Sequence, residues 1–122
     1  MTASDRAIGF TDVASAADLH DGDLLGVTLA DGTPVCLYRD RGVIGAVGNV
    51  CTHAEFAISD GSLRPDGTIE CAWHGARFDC RNGAVRREPA VDPLPVYTVR
   101  IEHGRVLVGP ALPVVTAEER SA

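Results

Sequence analysis

The 122-residue chain contains no apolar run of roughly 18 residues or more, the length a helix needs to cross a bilayer. Its first ten residues, MTASDRAIGF, lack the apolar centre of a secretory signal, so a cytoplasmic location is expected. There is no excess of basic charge. Eleven Lys and Arg against 17 Asp and Glu leave a net charge of −6, which argues against nucleic acid or an anionic membrane as partner. A basic protein partner remains compatible with that charge. Internal repeats and an interdomain linker are absent, and 122 residues are too few for two ordinary cores, so one domain over residues 1–122 is expected. Helical periodicity is almost missing. What the chain does have is a 45% hydrophobic composition, enough for one folded core. It also has four cysteines and four histidines. Thiols stay reduced in the cytoplasm, so these cysteines read as ligands or buried thiols, not as a disulfide framework.

Short β-rich segments separated by glycine turns account for most of the chain. Strands are expected near Leu24–Leu29, Val35–Arg39 and Val43–Gly48, divided by Asp31-Gly32 and Arg41-Gly42. Asp66-Gly67 separates a short strand from TIEC, and Asn82-Gly83 turns Phe78–Cys80 back into Ala84–Arg86. After the proline-rich EPAVDPLP, the segments VYTVRIE and RVLVG flank His103-Gly104 as a final hairpin. Only Ala14–Leu19 suggests a helical turn, and Met1–Asp5 and Pro113–Ala122 read as loose ends. This spacing predicts an all-β antiparallel sandwich or barrel.

Two stretches carry the chemistry. CTHAEF pairs Cys51 with His53, and CAWHGARFDC pairs Cys71 with His74. Both fall on loops leaving strands, where a rigid scaffold presents a site. Two thiols and two imidazoles in the joint spacing C-x-H-x17-C-x2-H point to a metal. Tetrahedral zinc is the plainer alternative, but its ligands usually lie two to four residues apart within each pair, and C-x-H is tighter.

The two motifs resemble those of the Rieske iron–sulfur proteins, most of all the small soluble ferredoxins. The resemblance is strong over the cluster-binding loops, about residues 49–80. It extends more loosely to Ser59–Gly61, His74-Gly75, the proline-rich loop and the last hairpin. It implies a Rieske-like β fold and a [2Fe-2S] cluster with Cys51 and Cys71 on one iron and His53 and His74 on the other. Neutral imidazoles in place of two thiolates make the centre less anionic, which raises its potential relative to an all-cysteine cluster. By the same resemblance Ala54, Ala72 and Gly75 let backbone N–H groups approach the sulfurs, and Trp73 shields the cluster. Rieske proteins of cytochrome bc complexes carry an extra cysteine in each loop. Here those places look like Glu55 or Phe56, and Ala72 or Trp73, so no clamping disulfide can form. The Ser and Tyr that donate hydroxyls in those proteins correspond to Ala76 and Phe78, which places the expected potential at the low end of the Rieske range.

Cys36 and Cys80 read as buried packing thiols. His20 and His103 read as solvated turn residues, and Arg86-Arg87 as a solvated pair. With His53 and His74 committed, only His20 and His103 remain for a mononuclear iron, so catalysis by this chain alone is not expected. The resemblance implies an electron carrier of an aromatic-ring-hydroxylating dioxygenase system. Its transient partners would be a flavin-dependent NAD(P)H reductase and a terminal oxygenase. The alternative is a small Rieske subunit of a reductase, such as assimilatory nitrite reductase.

Overall fold

A computed structural model describes residues 9–51, 57–72, 75–87 and 93–112. The expected loose ends, Met1–Asp5 and Pro113–Ala122, lie outside them. Ten strands follow one another: β1 (Thr11–Ser15), β2 (Leu24–Thr28), β3 (Pro34–Asp40), β4 (Val43–Gly48), β5 (Ser62–Leu63), β6 (Thr68–Glu70), β7 (Arg77–Asp79), β8 (Val85–Arg87), β9 (Val96–Glu102) and β10 (Arg105–Ala111). The larger sheet has the order β1-β10-β9-β4-β3-β2, the smaller β5-β6-β7-β8, and every pairing is antiparallel. The edges of the large sheet meet where the Ala30 N–H donates to Thr11 Oγ1 at 3.1 Å, so the sheet nearly closes into a barrel.

The turns carry the register. Arg41-Gly42 has φ of 51° and 84°, and His103-Gly104 has 52° and 76°. Each pair is the whole loop between partnered residues, Asp40 with Val43 and Glu102 with Arg105. Left-handed backbone at both positions fits the twist of the flanking strands. Glycine takes the second position of each at no steric cost.

The run Val35-Cys36-Leu37-Tyr38 is apolar without alternation because both faces of β3 are covered. Val35 and Leu37 pack inside the barrel with Leu19, Ala46, Val106 and Val108. Cys36 and Tyr38 face a second core, built with Val47, Ile58, Ile69, Phe78, Cys80 and Leu94. That second core also contains Cys51 and Cys71, so the small sheet seats both cysteine loops against the barrel.

Two local expectations change. Ala14–Leu19 is not a helical turn throughout: Ala14 and Ser15 belong to β1, and only Ala16–Asp18 form a 3-10 turn. TDVAS is short and polar, and its strand state comes from pairing with β10, nearly a hundred positions away. Arg86 is exposed, as expected, but it is also paired: its Nη1 lies 3.1 Å from Oδ2 of Asp79, a residue only 6% exposed.

Candidate metal centre

The first cysteine loop leaves β4 through Gly48, where an added Cβ would stand 2.7 Å from Pro95 Cγ. The Gly48 N–H donates to the Pro95 carbonyl at 2.8 Å, so the end of the proline-rich segment lies directly against this exit. An isolated bridge pairs Val50 with Ala57 across the loop's mouth. Just below it, Asn49 Oδ1 accepts the Ser59 N–H at 2.7 Å, and Asn49 Nδ2 donates to Ser59 Oγ at 3.1 Å. The Ile58 N–H donates to the Asn49 carbonyl at 2.9 Å. The loop is therefore stitched shut at its base.

The second cysteine loop joins β6 to β7. The Cys71 N–H donates to the Ala76 carbonyl at 2.8 Å, and the Gly75 N–H to the Cys71 carbonyl at 3.3 Å. Gly75 has φ of 73°, a conformation most side chains resist. At Gly61 an added Cβ would lie 2.0 Å from the Glu70 carbonyl and 3.2 Å from that of Ile58. That absence of a side chain lets the base of the first loop touch the residue preceding Cys71. Glu70 is bracketed by Arg64 Nη1 at 2.9 Å and Arg77 Nε at 3.6 Å. Asp60, Ser62, Glu70, Cys71 and Gly75 line a surface concavity beside the loop.

Cys51 and Cys71 are each 2% exposed, reduced, and set in one apolar core from two separate loops. That donor chemistry fits a group held by soft thiolates and screened from water. His53 and His74, with Glu55, Phe56 and Trp73, lie outside the described residues.

Cys36 and Cys80 are also fully buried in that core. Desolvation pushes the Cys36 thiol up to about 12. Desolvation first, then the Asp40 and Asp79 carboxylates, push Cys80 up to about 11. Neutral thiols at such positions pack as small hydrophobes. His20 and His103 are exposed, and His20 Nδ1 sits 3.4 Å from Asp23 Oδ2. Sequence reasoning missed the Asn49–Ser59 stitch and the Arg64–Glu70–Arg77 group. The available signal was an Asn two residues before a candidate ligand cysteine, and only the fold supplies its partner.

The sequence matches the Rieske [2Fe-2S] domain over residues 9–98. The chain is 36% identical over 101 residues to the ferredoxin component of the naphthalene 1,2-dioxygenase system of Pseudomonas putida, covering 83% of this chain and 95% of that protein. In fold it resembles a chain of the complex of reduced oxygenase and oxidized ferredoxin in carbazole 1,9a-dioxygenase. The TM-score there is 0.78 at 30% identity, over 83% of this chain and 93% of that one. A putative NADH-dependent nitrite reductase small subunit from Mycobacterium tuberculosis gives a TM-score of 0.75 at 28% identity, over 85% and 96%.

Proposed function

Because the chain belongs to the Rieske [2Fe-2S] domain family, we propose that it is the electron-carrying ferredoxin component of an aromatic-ring-hydroxylating dioxygenase system. Its cofactor is a Rieske [2Fe-2S] cluster. When bound, that group takes up and releases one electron at a time. Cys51 and Cys71 would hold one iron, and His53 and His74 the other.

The chain's own residues supply the setting. The apolar core around Cys51 and Cys71, with Ile58, Ile69, Ala76 and Phe78, keeps water from the thiolate side. Backbone hydrogen bonds from Cys71 to Ala76 and from Gly75 to Cys71 help fix the direction of the second loop. Nothing hydroxylated stands at Ala76 or Phe78, so these side chains donate no hydrogen bond to the cofactor. The reading assigns no substrate site to this chain, which passes electrons and does not itself catalyse the oxygenation. Single electrons arrive from a flavin NAD(P)H reductase and leave to a terminal oxygenase. One Rieske domain spans residues 1–122 and works in the cytoplasm. No helix among the described residues is long and apolar enough to cross a membrane.

The observation that carries this reading is the likeness to a dioxygenase ferredoxin along 95% of that protein's length. The nitrite reductase small subunit is a slightly poorer match in both TM-score and identity than the carbazole dioxygenase chain. The test is reconstitution with a ring-hydroxylating oxygenase and a flavin reductase encoded beside it. NADH-driven substrate oxidation should require the chain. Stable co-purification with a large nitrite reductase subunit, and no support of the oxygenase, would favour the other assignment.

A further inference from the structure

We propose that Asn49 is a positioning residue for the first ligand loop: it clamps the loop shut below Cys51 and thereby sets how long the iron stays bound. The inference rests on the ligand assignment above. The geometry is specific. Asn49 reaches across the loop's mouth with both ends of its amide, accepting from the Ser59 N–H at 2.7 Å and donating to Ser59 Oγ at 3.1 Å. Its carbonyl accepts from the Ile58 N–H at 2.9 Å, and its own N–H donates to the Pro34 carbonyl at 3.2 Å. Four polar groups of one residue thus tie the loop's entry to its exit and to β3. Cys51 is two residues away, inside the tied segment.

A second feature supports the clamp from behind. Gly26 is the middle residue of β2, where a larger residue would ordinarily be preferred. A Cβ there would stand 2.9 Å from Ser59 Oγ and 3.0 Å from Asn49 Nδ2. The missing side chain leaves room for the clamp. Ile58–Asp60, the 3-10 turn that bears Ser59, packs on both β2 and β3. A loop whose base cannot spread keeps its thiolate in place, so the entropy of holding it in position is removed before metal arrives.

The substitutions separate the bonds. Asn49→Ala leaves the Ser59 N–H without its acceptor. Ser59→Ala and Gly26→Ala remove or crowd only the Asn49 Nδ2–Ser59 Oγ bond. Asn49→Asp keeps an acceptor for the Ser59 N–H and lets Ser59 Oγ donate to the second oxygen. Thr11→Ala is the matched control, because it removes one side-chain to backbone bond at the barrel seam.

Iron release from purified holoprotein is timed with a ferrous chelator, beside thermal unfolding of each variant. Asn49→Ala should release iron ~10-fold faster, equivalent to about 1.4 kcal/mol. Gly26→Ala and Ser59→Ala should lie between it and the parent. Asn49→Asp should return release to within ~2-fold of the parent, and Thr11→Ala should lower the melting temperature without changing release. Should Asn49→Ala fail to fold, the ordering of Gly26→Ala and Ser59→Ala against Thr11→Ala decides the matter. Equal release from parent and clamp variants would overturn the inference, as would a matched acceleration by Thr11→Ala or no rescue by Asp. A parent protein that purifies with zinc and no sulfide would instead overturn the cluster reading on which the inference rests, so the two failures are distinct.

Discussion

The four cysteines share one buried core but divide by position. Cys51 and Cys71 belong to the two loops that also carry His53 and His74, whereas Cys36 lies within β3 and Cys80 just after β7, both with thiol values raised by desolvation. Cys51→Ser, Cys71→Ser, His53→Ala and His74→Ala should each lose or destabilise the cluster in iron and sulfide assays. Cys36→Ser and Cys80→Ser should keep full iron content, at a stability cost of about 1–3 kcal/mol for a buried hydroxyl. Full cluster loss in Cys36→Ser would contradict the division. The raised thiols also set a pH dependence. Their folded-state values lie above the ordinary 9.0, so they stabilise the fold fully below about pH 9 and lose that contribution as pH rises toward 11–12. Urea midpoints should therefore fall above pH 9, and less steeply in the two serine variants. Ala76 and Phe78 are fully buried in the same core as Cys51 and Cys71. With no hydroxyl at either place, voltammetry should find a midpoint near the lower end of the range of about −150 to +300 mV. Ala76→Ser combined with Phe78→Tyr should raise it. The proposed ligands could be nominated from the sequence because metal chemistry demands those residue types at fixed spacing. The partner of Arg86 could not, because the Asp79 carboxylate is buried only by folding.

At the scale of elements, glycine turns made most strands readable. The pairs Arg41-Gly42 and His103-Gly104 mark their hairpins within two residues, because only a few residue types accept that backbone. The short strand expected before Asp66-Gly67 is β5, paired with β6 across that turn. β1 was missed for the opposite reason: TDVAS has little pattern of its own and becomes a strand through a partner far along the chain. The Asn49 clamp belongs with β1, since its partner lies beyond the loop. Turns can also be ranked. An added Cβ at Gly104 would meet open space, so Gly104→Ala faces only the positive φ and should cost about 1 kcal/mol. Gly83 has φ of 71°, and an added Cβ would stand 2.1 Å from the Leu94 carbonyl. Gly83→Ala should exceed about 3 kcal/mol in denaturant unfolding, because the obstructing atom is backbone. Similar losses in both variants would show that the segment ending at Leu94 yields easily.

For the whole molecule, charge and function meet. An electron shuttle must leave each partner quickly, so its contacts should be small. A net charge of −6 favours long-range attraction to basic surfaces on the proposed reductase and oxygenase partners. Rising salt should slow second-order reduction by the reductase in stopped-flow, since exposed charges are screened over about 10 Å at 0.1 M. A rate that stays flat or increases would assign the encounter to apolar contact instead, at Phe56 and Trp73. The central claim is narrower than any partner: one cluster held by two thiolates and two imidazoles. Pulsed EPR of the reduced protein, grown with 15N-labelled histidine, reads it directly. Two histidine nitrogens should couple to the reduced cluster, and the coupling should be lost with the cluster or altered in His53→Ala and His74→Ala. A paramagnetic cluster without histidine coupling, or a colourless zinc protein with no signal, would contradict it.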